Sequence, residues 1–268
     1  MNDFLIMGIL NITPDSFSDG GKYNTVELAL SHVDSMLNDG ADIIDIGAES
    51  TRPGAITISA KEELDRLIPV LEAIKSQFPQ AKISIDTSKA EVMAEVVKYD
   101  VWMINDVTAL NDHKSVDIIK NNKTNICLMH MQKNPMTMQV NPKYNDVTEE
   151  IFNFFTKKIN YCLQNGINKE KIFIDPGFGF GKTLEHNKLI LKNLATFTKL
   201  EVPILVGLSR KSMIGDILNK PINERLYGSV AAAVIAYTNG ARIIRTHDVK
   251  ESLDALKVTA AVCSGTNN

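Results

Sequence analysis

Eight short apolar runs recur along the chain, and nearly every one ends at a polar or charged residue that could bind a ligand or take part in chemistry. The runs and the residues that follow them are Leu5–Leu10 with Asn11, Ile43–Gly47 with 49–52, Ile83–Ile85 with Asp86, Trp102–Ile104 with Asn105 and Asp106, Ile126–Met129 with His130, Ile172–Ile174 with Asp175, Ile204–Leu208 with 209–211, and Ile243–Ile244 with Arg245 and His247. Buried carboxylates and amides need specific hydrogen-bond partners, which a nitrogen-rich heterocycle would supply to Asp86, Asn105 and Asp175. The alternative is that each of the three caps a helix or turns a loop, which is a weaker explanation for all three together.

A second group of side chains could bind an anion. Arg245 and His247 lie two residues apart on a predicted strand and so face the same side, and residues 209–211 end the preceding strand. Barrel enzymes often bind phosphate near their seventh and eighth strands, so this group favours an anionic substrate. The alternative is a solvated arginine paired with a helix carboxylate. The amide oxygen of Asn11 could bind Mg²⁺, which keeps several waters and bridges to substrate phosphates.

Three familiar motifs are absent from the sequence. A phosphate loop would need Gly at position 176, where the chain has Pro176 ahead of the glycine-rich stretch 177–183. The five histidines form no HxxxH or mixed Cys/His cluster, so a zinc ion held by protein ligands alone is not expected. No GxSxG nucleophile elbow occurs either, and the sequence gives no support to a covalent mechanism.

The segments between the apolar runs have the pattern of helices. In 26–37, apolar residues recur with i, i+3, i+4, i+7 spacing, and Asn38–Gly40 supplies the stop before the next strand. The same order of helix, glycine stop and buried strand returns at Asn239–Ala241. Repeated βα units predict an α/β fold, a closed (β/α)8 TIM barrel with its site at the C-terminal ends of the strands. The loops after strands 1 and 2, Thr13–Asn24 and Thr51–Ser59, are rich in Gly, Pro, Ser and Asp, so we expect them to be long and mobile.

Length and composition limit the class of protein. A chain of 268 residues with 44% hydrophobic residues can bury the core of one α/β barrel, and we expect a single domain over residues 1–268. A net charge of −3 with dispersed Lys and Arg gives no basic surface for nucleic acid, so no nucleic-acid partner is expected. The N-terminus lacks a signal-peptide pattern and no apolar run approaches about 18 residues, which predicts a soluble, cytoplasmic protein without a membrane partner. Cys127, Cys162 and Cys263 are too widely spaced for a CxxC motif, so we expect buried thiols.

Eight blocks of sequence, in order along almost the whole chain, resemble the dihydropteroate synthase family of bacterial pterin-binding enzymes. They are Met7–Gly21 (MGILNITPDSFSDGG), Asp42–Gly54 (DIIDIGAESTRPG), Ile83–Ser88 (ISIDTS), Ile104–Val107 (INDV), Cys127–Met131 (CLMHM), Asp175–Lys182 (DPGFGFGK), Gly207–Gly215 (GLSRKSMIG) and Ile244–Val249 (IRTHDV). Eight blocks in the family's order are highly specific. The chain departs from the family at Ala48, where Gly is usual; the added methyl group beside Glu49 affects the shape of that loop but no chemical role.

The resemblance implies a transferase that joins 6-hydroxymethyl-7,8-dihydropterin diphosphate to p-aminobenzoate, releasing diphosphate and forming 7,8-dihydropteroate in folate biosynthesis. It also implies Mg²⁺ as cofactor, bound by Asn11, a homodimer, and an aminobenzoate site for which sulfonamides compete. By matching positions, the implied pterin-binding residues are Asp86, Asn105, Met129, Asp175, Phe180, Gly207, Lys211 and Arg245. The implied diphosphate-binding residues are Asn11, Thr51, Arg52, Arg245 and His247, and the implied aminobenzoate-binding residues are Thr51, Arg52, Pro53, Phe180, Lys211 and Ser212. The implied catalytic residues are Asp86, Asp175, Lys211, Arg245 and His247.

Physical chemistry adds a hypothesis for the mechanism. The electron-rich dihydropterin can delocalise a cation, so the bond between its CH₂ carbon and the diphosphate oxygen breaks first, in an SN1-like step. Mg²⁺, Arg245 and His247 would stabilise the leaving diphosphate, while Asp86 and Asp175 would favour the cation. The arylamine is neutral at pH 7 and needs orientation more than a base. Ordering of the two loops over bound diphosphate would build the second pocket and exclude water.

Two other functions stay open. A corrinoid methyltransferase that uses methyltetrahydrofolate would share the carboxylates and Asn105, but the NITPDSFSDGG and STRPG loops favour diphosphate chemistry. A non-catalytic pterin-binding paralogue is the second alternative, and loss of Lys211, Arg245 or His247 would indicate it; all three are present. For the homodimer, the late apolar segment Ala231–Tyr237 is a candidate surface, although it could instead cover the barrel.

Overall fold

Eight parallel strands form one closed barrel in the computed structural model of the chain. The structure describes residues 3–12, 22–49 (with side chains from 26), 57–134 and 136–263. The strands are β1 Leu5–Asn11, β2 Ile43–Gly47, β3 Lys82–Asp86, β4 Met103–Asp106, β5 Asn125–Met129, β6 Ile172–Asp175, β7 Ile204–Gly207 and β8 Ala241–Thr246. The helices within the described ranges are α1 Lys22–Asn38, α2 Ala60–Gln77, α3 Ala90–Val96, α4 His113–Asn121, α5 Val147–Gln164, α6 Leu184–Lys192, α7 Ser212–Leu218, α8 Leu226–Thr238 and α9 Val249–Cys263.

The barrel closes because β1 pairs with β8 as well as with β2, and every pairing is parallel. Helices cover the outside of the strands and side chains fill the inside, which is why the strands appear in sequence as continuous apolar runs. The predicted (β/α)8 barrel is confirmed. Only β2 has the bounds of its apolar run, and the other strands differ from theirs by one or two residues at one or both ends. Strand β4 begins one residue late, at Met103, and β8 begins two residues early, at Ala241. The Trp102 ring, just before β4, packs edge-on against Phe173 with 5.6 Å between centroids.

Local sequence sets the ends of the first two helices. Helix α1 ends at Asn38, and Gly40 follows with φ +96°, a left-handed conformation that glycine adopts without steric penalty. The predicted stop is confirmed. At the start of α2, the Ser59 hydroxyl accepts a hydrogen bond from the Glu62 N–H at 3.1 Å and satisfies one of the free donors of the first turn. The inner faces of these helices, which include the buried Leu71, pack on the outer face of the sheet.

The two predicted mobile loops lie largely outside the described residues. Of Thr13–Asn24, only 22–24 are described, and they already belong to α1, so this end of the prediction is wrong. Of Thr51–Ser59, only 57–59 are described, and they lead directly into α2. The mobility of the rest stays a prediction, as does the extent of the domain. Across the described ranges, no helix is long and apolar enough to cross a membrane.

The barrel interior has an apolar layer and, nearer the C-terminal ends of the strands, a polar layer. Alternate side chains of a strand point to the same face, and the apolar layer consists of Met7, Ile43, Met103, Cys127, Phe173, Leu205 and Ile243. Two residues further along the same strands lie Ile9, Asp45, Asn105, Met129, Asp175, Gly207 and Arg245. Strand register places Asp86 opposite Asn105 and Gly207 opposite Arg245. On each of these strands, the residue at the barrel mouth therefore lies only two positions after the residue of the apolar core.

Candidate active site

Arg245 lies between two carboxylates of the polar layer. Its Nε donates to Asp45 Oδ2 at 2.6 Å, and its Nη2 donates to Asp86 Oδ2 at 3.2 Å. The Asp45 side chain is fully buried, while those of Asp86 and Arg245 are 12% and 20% exposed. Charge-assisted hydrogen bonds are directional and strong in such surroundings. The two carboxylates therefore hold the guanidinium in one orientation at the mouth of the barrel.

Asp45 also determines how the amide of Asn105 is oriented. The Ser84 hydroxyl donates to Asp45 Oδ1 at 2.5 Å, and Asn105 Nδ2 donates weakly to Asp45 Oδ2 at 3.4 Å. With its nitrogen toward Asp45, the buried Asn105 leaves Oδ1 without a hydrogen-bond partner among the described residues. A buried acceptor left unsatisfied costs about 1–3 kcal/mol. This oxygen is therefore well suited to accept a hydrogen bond from a ligand N–H.

Asp175, Lys211 and Phe180 form another side of the mouth. Lys211 Nζ donates to the carbonyl of Phe178 and lies 4.7 Å from the centre of the Phe180 ring, within the range of a cation–π contact. Met129 is the register partner of Asp175 and faces the same way. A carboxylate, an ammonium group, a flat aromatic ring and an apolar thioether side chain thus line the same mouth, which suits a planar heterocycle with polar edges.

Burial shifts the pKa values of these ionisable groups toward their neutral forms. It raises the pKa of Asp86 to about 7, although the positive charge of Arg245 opposes the shift. It also raises the pKa of Asp175, against the opposing charge of Lys211. The pKa of Lys211 itself falls to about 8 because burial outweighs the attraction of Asp175. Such shifts are frequent where a protein holds ionisable groups for binding or catalysis.

A buried lysine fixes the loop between β6 and α6. Lys182 is 3% exposed, and its Nζ donates to the carbonyls of His130, Gly177 and Phe180 at 3.2, 2.9 and 2.9 Å. Burial lowers the pKa of His130 to about 2 and the pKa of Lys182 well below its ordinary value. Gly177 has φ +70°, a Cβ there would lie 2.0 Å from the His130 carbonyl oxygen, and its N–H donates to Asp175 Oδ1 at 2.7 Å. This compact loop sets the positions of Asp175 and Phe180.

His247 follows β8 and is held by Ser209. Its backbone N–H donates to Ser209 Oγ at 3.2 Å, and its Nδ1 lies 3.0 Å from the same oxygen. Arg210, which belongs to the group interpreted as cationic, instead pairs with Asp248, with Nε donating to Oδ2 at 3.2 Å. The group that could bind an anion therefore has one available cation fewer than its sequence indicates, because Asp248 already pairs with Arg210.

Asn11 ends β1 at the rim of the barrel, opposite Gly47 in register. A Cβ added to Gly47 would lie 3.8 Å from Asn11 Oδ1 and 3.7 Å from the Asp86 Cβ, so the missing side chain leaves space between these two residues. Within the described residues, no group of three or more His, Cys, Asp or Glu side chains could hold a metal ion. An amide oxygen alone fits Mg²⁺ only when substrate phosphate and water supply the other ligands. Asn11 would therefore need a bound diphosphate and water to hold the ion, and its role as a Mg²⁺ ligand stays a prediction.

The comparisons with known proteins identify the family of this site. A family model described as pterin binding enzyme matches residues 7–247. The dihydropteroate synthase of Escherichia coli (strain K12) is 52% identical over 263 residues, which cover 98% of this chain and 93% of that protein. The chain belongs to the dihydropteroate synthase family. The family resemblance drawn from the eight sequence blocks is confirmed.

Solved structures of dihydropteroate synthases share the fold. The Yersinia pestis enzyme, in a complex with a sulfonamide drug, is 48% identical with a TM-score of 0.91 and covers 98% of this chain and 95% of its own. The Xanthomonas albilineans enzyme with 4-aminobenzoic acid is 43% identical with a TM-score of 0.92 and covers 98% and 94%. The predicted enzyme class, a transferase of folate biosynthesis, is confirmed by these relatives.

The polar layer brings together most of the residues that the dihydropteroate synthase resemblance implies. The residues on the inner face of the barrel or in the loop beside it are Asp86, Asn105, Met129, Asp175, Phe180, Gly207, Lys211 and Arg245. Asn11 and His247 lie at the strand ends. Ser212 is exposed at the first position of α7, next to Lys211. Thr51, Arg52 and Pro53 lie outside the described residues. The ligand roles of all of these stay predictions.

The roles of two pairs of residues were not predicted from the sequence. Asp45 and Ser84 are polar side chains inside apolar strands, so they read as parts of a core run. The available signal was the position of Asp45, a charged residue two positions before Gly47 on the same strand. Alternate residues of a strand face the same side, so Asp45 faces the barrel interior as the rim residue Gly47 does. Lys182 and His130 bond to each other through contacts between distant segments, and no local pattern indicated that pair.

Proposed function

We propose that this chain condenses 6-hydroxymethyl-7,8-dihydropterin diphosphate with p-aminobenzoate, giving 7,8-dihydropteroate and diphosphate. The observation that carries the proposal is the polar layer at the barrel mouth, where Asp86, Asn105, Asp175, Lys211 and Arg245 meet. Membership of the dihydropteroate synthase family supports the same reaction. The layer offers acceptors, cations and a flat aromatic surface, which together fit a bicyclic substrate with an anionic leaving group.

The pterin ring would be recognised through complementary edges. A 2-amino-4-oxopteridine carries N–H donors on one edge, and Asp175 and Asn105 Oδ1 are the acceptors for them. Lys211 would donate to an oxygen or nitrogen of the ring, and Phe180 would pack near its face. Because Asn105 Oδ1 has no partner among the described residues, a ligand N–H would remove a penalty of about 1–3 kcal/mol.

The bond to break joins the pterin CH₂ carbon to the diphosphate oxygen. Its electron pair leaves with diphosphate, and the dihydropterin ring delocalises the resulting positive charge. Ionised Asp86 and Asp175 lie where they favour that charge, in surroundings with little water to screen them. The arylamine nitrogen of p-aminobenzoate then attacks the carbon with its lone pair and releases a proton. This order of events is SN1-like.

Residues at the rim would hold the leaving diphosphate. Arg245 would provide positive charge there and His247 a hydrogen-bond donor, and Asn11 Oδ1 would help to hold Mg²⁺. When bound, Mg²⁺ supplies charge that offsets the negative charge on the leaving group. The residues expected to line the aminobenzoate side are Phe180, Lys211, Ser212 and the three of the second loop, Thr51, Arg52 and Pro53.

Product formation tests the proposal directly. Purified protein is incubated with the pterin diphosphate and labelled p-aminobenzoate, with and without Mg²⁺, and the mixture is chromatographed for dihydropteroate. We expect Mg²⁺-dependent product that a sulfonamide blocks. Asp86→Asn should lower kcat at least about 100-fold, while Asp254→Asn, which neutralises an exposed carboxylate of α9, should match the wild type. Pterin binding without product would instead indicate the non-catalytic paralogue, and methyl transfer from methyltetrahydrofolate would indicate the corrinoid-dependent enzyme.

The homodimer and the cytoplasmic location are further parts of the proposal. Exposed apolar side chains on α8 and α9 support a surface between two copies of the chain, namely Tyr227, Ile235, Val258 and Val262. Within Ala231–Tyr237 most residues instead cover the barrel, since Ala232, Ala233, Ala236 and Tyr237 are buried. Sedimentation of the wild type and of Ile235→Glu would test the surface, because a buried glutamate at the interface should shift the mass toward a monomer.

A further inference from the structure

The polar layer contains a carboxylate, Asp45, that is not among the residues expected to bind the substrates. Asp45 lies on β2, is 0% exposed, and accepts hydrogen bonds from Ser84, Asn105 and Arg245. It sits one step of two residues below Gly47, the residue at the rim, and one step above Ile43 of the apolar layer. Asp45 therefore lies beneath the ligand-facing side chains rather than among them.

Two of the side chains that contact Asp45 are ones that we place against the pterin. Asn105 directs its nitrogen toward Asp45, which leaves Oδ1 as the acceptor without a partner among the described residues. Arg245 directs its Nε toward Asp45 at 2.6 Å, which leaves Nη2 to reach Asp86. The hydroxyl of Ser84 fixes the other oxygen of Asp45 at 2.5 Å. The orientations of the amide and the guanidinium thus depend on the same buried carboxylate.

We infer that Asp45 is a positioning residue, which fixes Asn105 as an acceptor and Arg245 as a bridge to Asp86 and so prepares the pterin site before the substrate binds. This inference rests on the proposed function. A buried carboxylate is expensive to desolvate unless hydrogen bonds and an opposite charge compensate it, and Asp45 has both. Preorganised donors and acceptors bind a ligand without first having to reorient.

Asp45→Asn is the matched change, since it keeps the shape and removes the charge and one acceptor. The new amide nitrogen would face either Ser84, whose hydroxyl would have to change from donor to acceptor, or the donors of Asn105 and Arg245, which would have to reorient. In either case the negative charge that holds the Arg245 guanidinium is lost. We expect the Kd of 6-hydroxymethyl-7,8-dihydropterin, measured by titration calorimetry, to rise at least about 10-fold, which corresponds to about 1.4 kcal/mol. The KM for p-aminobenzoate should change by less than about twofold, because Asp45 hydrogen-bonds to Ser84, Asn105 and Arg245, and none of these is expected to bind p-aminobenzoate.

The pH profile separates positioning from mere packing. The charged groups that act on Asp86 include Arg245 of β8, Asp45 of β2, Glu63 of α2, Asp106 of β4 and Lys211, which precedes α7. The negative charge of Asp45 helps to raise the pKa of Asp86. Removing it should lower that pKa, so the acid limb of kcat/KM for the pterin diphosphate should move to lower pH. A loss of packing alone would leave the limb in place.

Asp106→Asn is the control, because Asp106 is equally buried but faces away from the barrel interior and bonds to Thr108 and Leu110. It should lower the unfolding temperature with less than about a twofold change in pterin Kd. The inference is overturned if Asp45→Asn keeps the wild-type pterin Kd and acid limb, or if both variants lose pterin affinity equally. Should Asp45→Asn fail to fold, Ser84→Ala decides: a rise of about threefold in pterin Kd supports the inference, and a wild-type Kd overturns it. Product formation by the wild type tests the proposed function separately.

Discussion

Replacing Lys89 with Met removes a cation that two carboxylates share beside the barrel. Lys89 precedes α3, and its Nζ donates to Glu63 Oε2 at 2.6 Å and to Glu49 Oε2. The side chains of Lys89 and Glu49 are 18% and 17% exposed, and that of Glu63 only 1%. The other oxygen of Glu63 is buried without a partner among the described residues. Glu63 therefore depends on Lys89 for compensation of its charge.

The magnitude follows from this burial. Breaking a buried ion pair by removing one partner costs about 3–5 kcal/mol, because the other charge stays desolvated. For a chain of this size, each kcal/mol shifts the unfolding temperature by about 2–4 °C, so we expect Lys89→Met to lower it by about 6–20 °C. Burial acts to lower the pKa of Lys89, but the hydrogen bonds to Glu49 and Glu63 outweigh it and raise the pKa. The stabilisation is thus fully present below the unfolded-state pKa near 10.5 and is lost as pH rises through the higher folded-state value.

Urea unfolding at pH 7.5 measures the effect, and Lys61→Met is its control. Lys61 pairs with Asp65 on the surface, with side chains 84% and 54% exposed, so its loss should change stability by no more than about 0.5 kcal/mol. Adding Glu63→Gln to Lys89→Met should recover part of the loss, because a neutral amide is cheaper to bury. If Lys89→Met unfolded within about 1 kcal/mol of the wild type and the second change had no effect, the network would not be desolvated and the reasoning would fail.

Lys89→Met should also raise the KM for p-aminobenzoate. Glu49, which pairs with Lys89, accepts the Ile58 N–H at 3.1 Å, and positions 49 and 58 flank the loop that contains Thr51 and Arg52.

Three other results are expected. First, kcat/KM for the pterin diphosphate should rise through pH about 7 as Asp86 ionises and fall above about 8 as Lys211 loses its proton. Because arginine stays charged, Lys211→Arg should abolish the alkaline limb. An unchanged alkaline limb would contradict the role of Lys211. Second, Gly177→Ala should destabilise the protein by more than about 2 kcal/mol in thermal unfolding. Gly179→Ala is the control and should cost about 1 kcal/mol, because Gly179 also has positive φ but an added Cβ there would have no described atom nearer than 3.6 Å. Equal losses would mean that the clash with His130 is relieved easily. Third, Asn11→Ala should raise the Mg²⁺ concentration for half-maximal product formation several-fold and leave the Kd of the diphosphate-free pterin unchanged; a normal Mg²⁺ requirement would place the ion elsewhere.

The sequence predicted the barrel and much of the site because both depend on periodicity. Each apolar run ends where the strand leaves the core, so the next inward-facing residue lies at the mouth whatever the details of packing. For this reason Asp86 and Asn105 are register partners, and Asp175 ends its strand at the same mouth of the barrel, beside Met129. The same reasoning applies to Arg245, whose strand starts earlier than expected without changing the face on which it lies.

Pairing between distant segments could not be predicted in the same way. Arg210 looked like part of an anion site, yet Asp248, which is 38 positions away in sequence, pairs with it. Lys182 belongs to a glycine-rich stretch that is not a phosphate loop, and the sequence indicated no other role for it, yet it is buried against the carbonyls of its own loop and of His130. In each case the hydrogen-bond partner lies on a different loop or helix, and the packing of these segments against the barrel decides which side chains meet. Local sequence patterns do not contain that information.

The charges of the polar layer would favour the pterin cation of the proposed mechanism. Two cations, Arg245 and Lys211, share this layer with the carboxylates of Asp45, Asp86 and Asp175. Arg245 is divided between Asp45 and Asp86, so neither carboxylate has a cation to itself, and burial still raises the pKa of Asp86 to about 7. A ring that gains positive charge as diphosphate leaves would supply the missing compensation. The interaction is strongest when that charge has developed, which is the condition for lowering a barrier rather than only tightening binding.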